Sequence, residues 1–180
     1  MKLIACGVIG VMMALAVAAV APVVAAQSAP PDNEKEFRAF LRSFEEGTNR
    51  FINGDATLWN EHVSYADDAT IMGGFGGYEI GGKAVRDRYD WAVKRFRSSG
   101  GKMDYTYLAI VVSGDLAYTI TIDRGAVHLV DQKEPLPMAL RVTTIFRKES
   151  GAWKLVHRHE DPLVTKMPPA AVIQKPAVQK

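Results

Sequence analysis

Cysteine is almost absent: Cys6 is the only one in the sequence, and it lies close to the N-terminus. If that segment is removed, as argued below, the folded part has no disulfide, no cysteine nucleophile and no thiolate metal site, and an apolar core must hold it together. An excess of charge is equally lacking, since 22 basic residues stand against 20 acidic ones for a formal net charge of +2. So even a balance gives no reason to expect a polyanionic partner, and no nucleic acid is expected. What is present, 180 residues of which 48% are hydrophobic, suits one ordinary domain.

One uncharged apolar run is long. Lys2 precedes Leu3 to Ala26, and the run closes on Val24-Ala25-Ala26 before Gln27, the pattern of a secretory signal peptide cleaved after Ala26. An uncleaved anchor is the competing reading, because about 20 apolar residues cross a bilayer. Pro22, the small residues at the end of the run and the absence of positive charge just after it weigh against the anchor. The expected organisation is a leader over 1–26, a linker over 27–33, a domain over 34–163 and a disordered tail over 164–180. The mature chain would then be periplasmic or secreted, with no stable membrane anchor.

Within the domain, Asn33-Glu34-Lys35-Glu36 offers a capping box for a helix starting near Glu34, with Phe37, Phe40, Leu41, Phe44 and Phe51 on one stripe and Asn53-Gly54 as its stop. Asp55 can cap a second short helix carrying Leu58 and Trp59. Two short strands, Thr70 to Met72 and Tyr78 to Ile80, flank Gly73-Gly74-Phe75-Gly76-Gly77. Gly77 to Ala84 has phosphate-loop spacing up to its last position, but Ala84 stands where Ser or Thr would hold magnesium, so a glycine hairpin before a helix is the better reading. A third helix is expected from Lys83 to Arg97. Four long strands follow, over Met103 to Val112, Leu116 to Val130, Met138 to Lys148 and Ala152 to Glu160, with Gly114-Asp115, Asp131 to Pro137 and Ser150-Gly151 as turns.

The last strand carries the sharpest pattern. Regular alternation puts Trp153, Leu155, His157 and His159 on one face and Lys154, Val156, Arg158 and Glu160 on the other. With a two-residue turn at Ser150-Gly151, Glu149 faces Ala152, Phe146 faces Leu155, Thr144 faces His157 and Val142 faces His159. On the other face Arg141 would meet Glu160 and Ile145 would meet Val156.

Helix, helix, two short strands, helix and four long antiparallel strands make an α+β arrangement in which a curved sheet wraps helices around a cavity. Asn53-Gly54-Asp55, Ala66-Asp67-Asp68-Ala69-Thr70, Gly81-Gly82-Lys83, Arg141-Val-Thr143 and above all Gly151-Ala-Trp153-Lys-Leu-Val156-His157-Arg-His159 resemble the SnoaL-like branch of the nuclear transport factor 2-like superfamily. The final string is also similar to the end of the association domain of calmodulin-dependent protein kinase II. The resemblance implies a cone-shaped fold, three N-terminal helices on a curved, mainly antiparallel sheet. It also implies a self-associating scaffold, expected as a homodimer through the outer face of the sheet. It implies no single activity, because ketosteroid isomerases, polyketide cyclases, dehydratases and pure binding domains share it.

The expected ligand site is built on Trp153, His157, His159, Arg124 and Thr144. Imidazoles donate, accept or carry protons, and Trp153 offers a flat apolar wall. Arg124, beside Gly125, suits either an ordinary surface position, the favoured reading, or a bulge that re-aims it, and the resemblance to the kinase association domain implies a carboxylate-binding role there. Two histidines spaced by one residue do aim at one point, but a metal needs a third ligand that the spacing does not supply, so no metal and no cofactor are expected. Asp67 and Asp68 suit a turn, and Tyr105 and Tyr107 share a face with Met103. Two readings remain open: an exported domain binding a small organic molecule in a mostly apolar pocket, or an isomerase, cyclase or dehydratase using a pocket Asp or His next to a carbonyl. A buried acid with a raised pKa, facing the pocket beside a hydrogen-bond donor, would favour the second.

Overall fold

The computed structural model describes residues 31–166. The expected leader, most of the linker and the tail from residue 167 lie outside the described residues. Helix α1 spans Pro31–Phe51, α2 Thr57–His62 and α3 Gly82–Val93, while the strands are β1 Thr70–Met72, β2 Glu79–Ile80, β3 Met103–Ser113, β4 Leu116–Val127, β5 Leu136–Glu149 and β6 Ala152–Pro162. They form a curved, open six-stranded sheet in the order β2-β1-β6-β5-β4-β3, antiparallel except for the β1–β6 pair. This is the α+β arrangement expected from the order of elements, with the cone shape that the resemblance implies.

The stripe on α1 explains why it docks. Phe37, Leu41, Phe44 and Phe51 are buried, and Phe37 and Phe44 meet Phe146 of β5 edge-on at 5.2 Å. Each buried phenyl ring contributes roughly 1.5–3 kcal/mol relative to exposure. The opposite side of α1 is wettable and carries the i,i+4 pairs Glu34–Arg38 and Glu46–Arg50. The helix starts at Pro31 rather than near Glu34, because Asn33 does not cap it: its amide donates to the Gly114 carbonyl at 3.1 Å and its oxygen accepts from Lys148. Helix α3 stops at Val93 instead of Arg97. The segment after it pairs locally with residues 128–130 through Arg97 N–H to the His128 carbonyl and Val130 N–H to the Arg95 carbonyl.

Two irregularities set which side chains face inward. In β3 the register shifts between Tyr107 and Ala109, leaving Leu108 unpaired and 62% exposed, so Ile110 turns toward the interior. In the β5–β6 hairpin the Ser150-Gly151 turn forms as expected, with positive φ at both residues, and Glu149 faces Ala152 and Phe146 faces Leu155. The register then shifts: Val156 is the extra residue, and Ile145 faces His157 while Thr144 faces Arg158. A bulge puts two residues of one strand opposite one of its partner and inverts every later side chain. The expected pairings Thr144–His157, Val142–His159, Arg141–Glu160 and Ile145–Val156 are therefore each replaced by their one-residue neighbours. Arg158 and Glu160 face inward, and His157 and His159 face outward.

Candidate active site

The interior side chain that the bulge delivers is a guanidinium. Arg158 is 4% exposed. Its Nη2 donates to Asp123 Oδ2 at 3.3 Å, Nη1 approaches Thr144 Oγ1 at 3.4 Å and Nε donates to Glu160 Oε1. The neighbouring rings of Trp59 and Phe44 lie 5.7 and 5.9 Å from the guanidinium carbon, with their centroids 5.1 Å apart. Burial alone would lower the Arg158 pKa, but the Glu160 and Asp123 carboxylates outweigh it and hold the cation. Asp123 comes from β4, whose inward residues are Ala117, Thr119, Thr121 and Asp123. At 2% exposure it is desolvated, and burial raises its pKa above the ordinary carboxylate range against the opposing pull of Arg158. Its second oxygen, Oδ1, has no hydrogen-bond partner among the described residues.

Asp123, Arg158 and Glu160 border a cavity of about 780 Å³ when the open solvent beyond its mouth is included. Its walls are mostly apolar, formed by Phe51, Ile71, Phe96, Met103, Met138 and Leu140 among others. Two donors in the lining, Trp59 Nε1 and Tyr89 Oη, are buried and have no acceptor among the described residues. Burial raises the Tyr89 pKa well above the ordinary phenol value, so the group is a neutral donor at any physiological pH. The mouth is framed by Gly73, Gly74 and Phe75 of the β1–β2 loop and by Arg88 of α3. The loop is tied down by Gly74 N–H to Glu160 Oε2 at 3.2 Å and by Arg88 to the Gly76 carbonyl at 2.5 Å. A smaller cavity that also borders Asp123 and Arg158 is lined by Leu41, Phe44, Tyr105, Tyr107 and Thr144 among others.

The residues expected at the site scatter. Thr144 is buried beside Arg158 and lines the smaller cavity. Trp153 faces inward but packs edge-on against Phe37 at 5.0 Å and borders an open groove with Phe40 and His62, away from the main cavity. His157 lies on the outer face, where its Nδ1 meets Thr70 Oγ1 at 2.7 Å, and His159 on that face stands 3.2 Å from Asp161. Arg124 is exposed, in regular register opposite Asp104 and Ala139, with no bulge to re-aim it. Asp68 is engaged on the surface by Arg147 at 2.6 and 3.0 Å. Among the described residues no cluster of His, Cys, Asp or Glu is placed to hold a metal, and no described helix is long and apolar enough to cross a membrane.

With this geometry in place, comparison with known proteins gives the family. The model of the SnoaL-like domain matches residues 42–164. The chain belongs to the SnoaL-like domain family. No curated protein matches it. Among solved structures, this SnoaL-like domain is similar to a nuclear transport factor 2-like superfamily protein from Salmonella enterica serovar Typhimurium, with 16% identity over 76% of this chain and 94% of that one, TM-score 0.62. It is similar as well to a ketosteroid isomerase-like protein from Erwinia carotovora atroseptica, with 17% identity over 75% and 99%, TM-score 0.61. A third, from Thiobacillus denitrificans and named for the calcium/calmodulin-dependent protein kinase type II association domain, shares 17% identity over 76% and 97%, TM-score 0.51. At such identities the likeness is one of fold.

Proposed function

We propose that the main cavity binds a small, mostly apolar organic molecule whose carbonyl or hydroxyl oxygen accepts hydrogen bonds from Tyr89 and Trp59. The observation that carries this reading is the pair of buried donors without acceptors on the lining of one apolar cavity. A buried donor left unpaired costs about 1–3 kcal/mol, and an oxygen of the ligand recovers it. Native mass spectrometry of the purified protein tests the reading, with a retained small molecule expected in the wild type and lost in Tyr89→Phe and Trp59→Phe. Protein that carries no molecule and gains no thermal stability from apolar ketones and hydroxylated aromatics would sink it.

A second reading is favoured by Asp123. A desolvated carboxyl with a raised pKa, beside neutral donors on the same cavity, suits a base that takes a proton from the carbon next to a carbonyl while the donors stabilise the resulting enolate oxygen. Returning that proton to another carbon is isomerisation, and losing a neighbouring hydroxyl as water is dehydration. Exchange of such protons for deuterium in a bound ketone, abolished by Asp123→Asn, is the expected sign.

The same reading has the mature domain exported after cleavage following Ala26, on the strength of the apolar run and Val24-Ala25-Ala26, and paired through the outer face of its sheet. N-terminal sequencing of the exported protein checks the first, with Gln27 expected as the first residue.

A further inference from the structure

The floor of the cavity is balanced in charge and its rim is not. On the floor Arg158 is matched by Asp123 and Glu160. Glu160 is spent twice, its other oxygen accepting from the Gly74 N–H. At the rim Arg88 is half-buried on the cavity lining, yet no carboxylate among the described residues comes within ion-pair distance of it. The acid next to it, Asp87, is taken by Lys83 at 2.5 Å. Arg88 makes one hydrogen bond, from Nη2 to the Gly76 carbonyl, which leaves Nε and Nη1 without acceptors among the described residues. Trp91 backs the guanidinium at 4.8 Å, and Arg95 approaches the same ring at 5.1 Å and adds positive potential nearby.

A partly desolvated cation usually has a counter-ion, because leaving it unpaired in a low-dielectric rim is costly. The fold does not supply one here. Its planar fork, backed by Trp91, matches a carboxylate or another oxyanion better than a lysine would. We infer that the ligand is an amphipathic oxyanion: its apolar body fills the cavity over Phe51, Phe96, Met138 and Leu140, and its anionic end is held at the rim by Arg88. This rests on the pocket reading above and adds to it the charge of the ligand and the residue that selects for it. The carbonyl or hydroxyl oxygen deep in the cavity and the anion at the mouth are then separate anchors at the two ends of one molecule.

Anilinonaphthalene sulfonate and phenylnaphthylamine share an aromatic body and differ in one sulfonate, which makes them a direct probe of the rim. Fluorescence titration of the purified wild type should show the sulfonate binding about tenfold tighter than the neutral probe, the ordinary worth of one charge-assisted hydrogen-bonded contact. Arg88→Gln should erase that advantage while leaving the neutral probe's affinity within about twofold, and Arg88→Lys should restore part of it. Added salt should narrow the gap in the wild type. Ala92→Leu, which fills the cavity wall, should weaken both probes and so locate them inside. Equal affinities in the wild type, or an advantage that survives Arg88→Gln, would overturn the inference and leave the pocket reading standing; should Arg88→Gln fail to fold, the wild-type comparison and Arg88→Lys still decide. If neither probe binds, or Ala92→Leu changes nothing, the pocket reading falls and this inference falls with it.

Discussion

One buried cation between two carboxylates makes Arg158 the residue on which the interior depends. Replacing it with Met removes the one charge among the described residues that compensates Asp123 and Glu160 there, and uncompensated buried charge typically costs about 3–5 kcal/mol. Urea denaturation of Arg158→Met should therefore show a loss of that size. Asp123→Asn should behave differently, because it leaves Arg158 and Glu160 as a one-to-one pair. The sign of its pH dependence follows from the raised pKa. A carboxyl that titrates higher in the fold than in the unfolded chain, where it sits near about 3.9, stabilises fully below the unfolded value and loses that contribution as pH rises through the folded one. Asn does not titrate, so the stability of Asp123→Asn relative to wild type should improve as the pH is raised from 4 toward 7. A relative stability of the variant that instead falls as the pH rises would mean the carboxyl is better solvated than its burial implies. His157→Gln and His159→Gln should leave ligand affinity unchanged, since neither ring borders the cavity.

At the scale of elements the sequence was legible wherever one face of a segment is apolar and regular. The stripe of α1, the face of α3 carrying Val85, Tyr89 and Ala92, and the two-residue turn at Ser150-Gly151 follow from spacing alone. The inward register of β6 did not, because the alternation Trp153, Leu155, His157, His159 looks continuous and conceals the bulge at Val156. Polarity argues against a slip that sets Arg158 and Glu160 inward until Asp123 is known to face them from β4. That acid was hidden by the same rule. On β4 the outward residues Leu116, Tyr118, Ile120 and Ile122 are the apolar set, and the inward Thr119, Thr121 and Asp123 the polar one. The inverted alternation was a usable signal: it marks a strand whose inward side chains are polar and whose outward face is apolar. Deleting Val156 should test the bulge. Regular pairing would return His157 and His159 to the interior and expel Arg158 and Glu160, stranding Asp123 without its partner. The expected result is loss of cooperative unfolding and of near-ultraviolet circular dichroism; a variant that folds with wild-type stability would show that the bulge is incidental.

The inverted strand also bears on the molecule as a whole, since it leaves an apolar outer face. Val111, Tyr118 and Ile145 stand side by side across β3, β4 and β5 at 39%, 40% and 37% exposure, with Ile120 at 37% in the next row and the bulged Leu108 near it. Charges border this centre, with Arg124 and the Arg141–Asp161 and Arg147–Asp68 pairs around it. An apolar centre with a polar rim is the anatomy of an interface rather than of a solvated sheet face. A homodimer through this face should give twice the chain mass by light scattering, and Ile145→Lys or Tyr118→Lys should return the monomer with little loss of stability, because both residues are already partly exposed in one copy. His157 lies in the same row as Ile145, beside His159 on its own strand and against Thr70 of β1. Burial lowers its pKa and the neighbouring His159 lowers it further. Covering the face with a second copy would extend that desolvation, so protons bind the separated chains better than the pair. Association should therefore hold at neutral pH and weaken only as the pH falls through the lowered His157 value, below the ordinary histidine value of about 6.5, and His157→Gln should flatten that dependence. A monomer mass at high concentration and neutral pH, or a dimer that survives both lysine substitutions, would place the contact elsewhere or remove it.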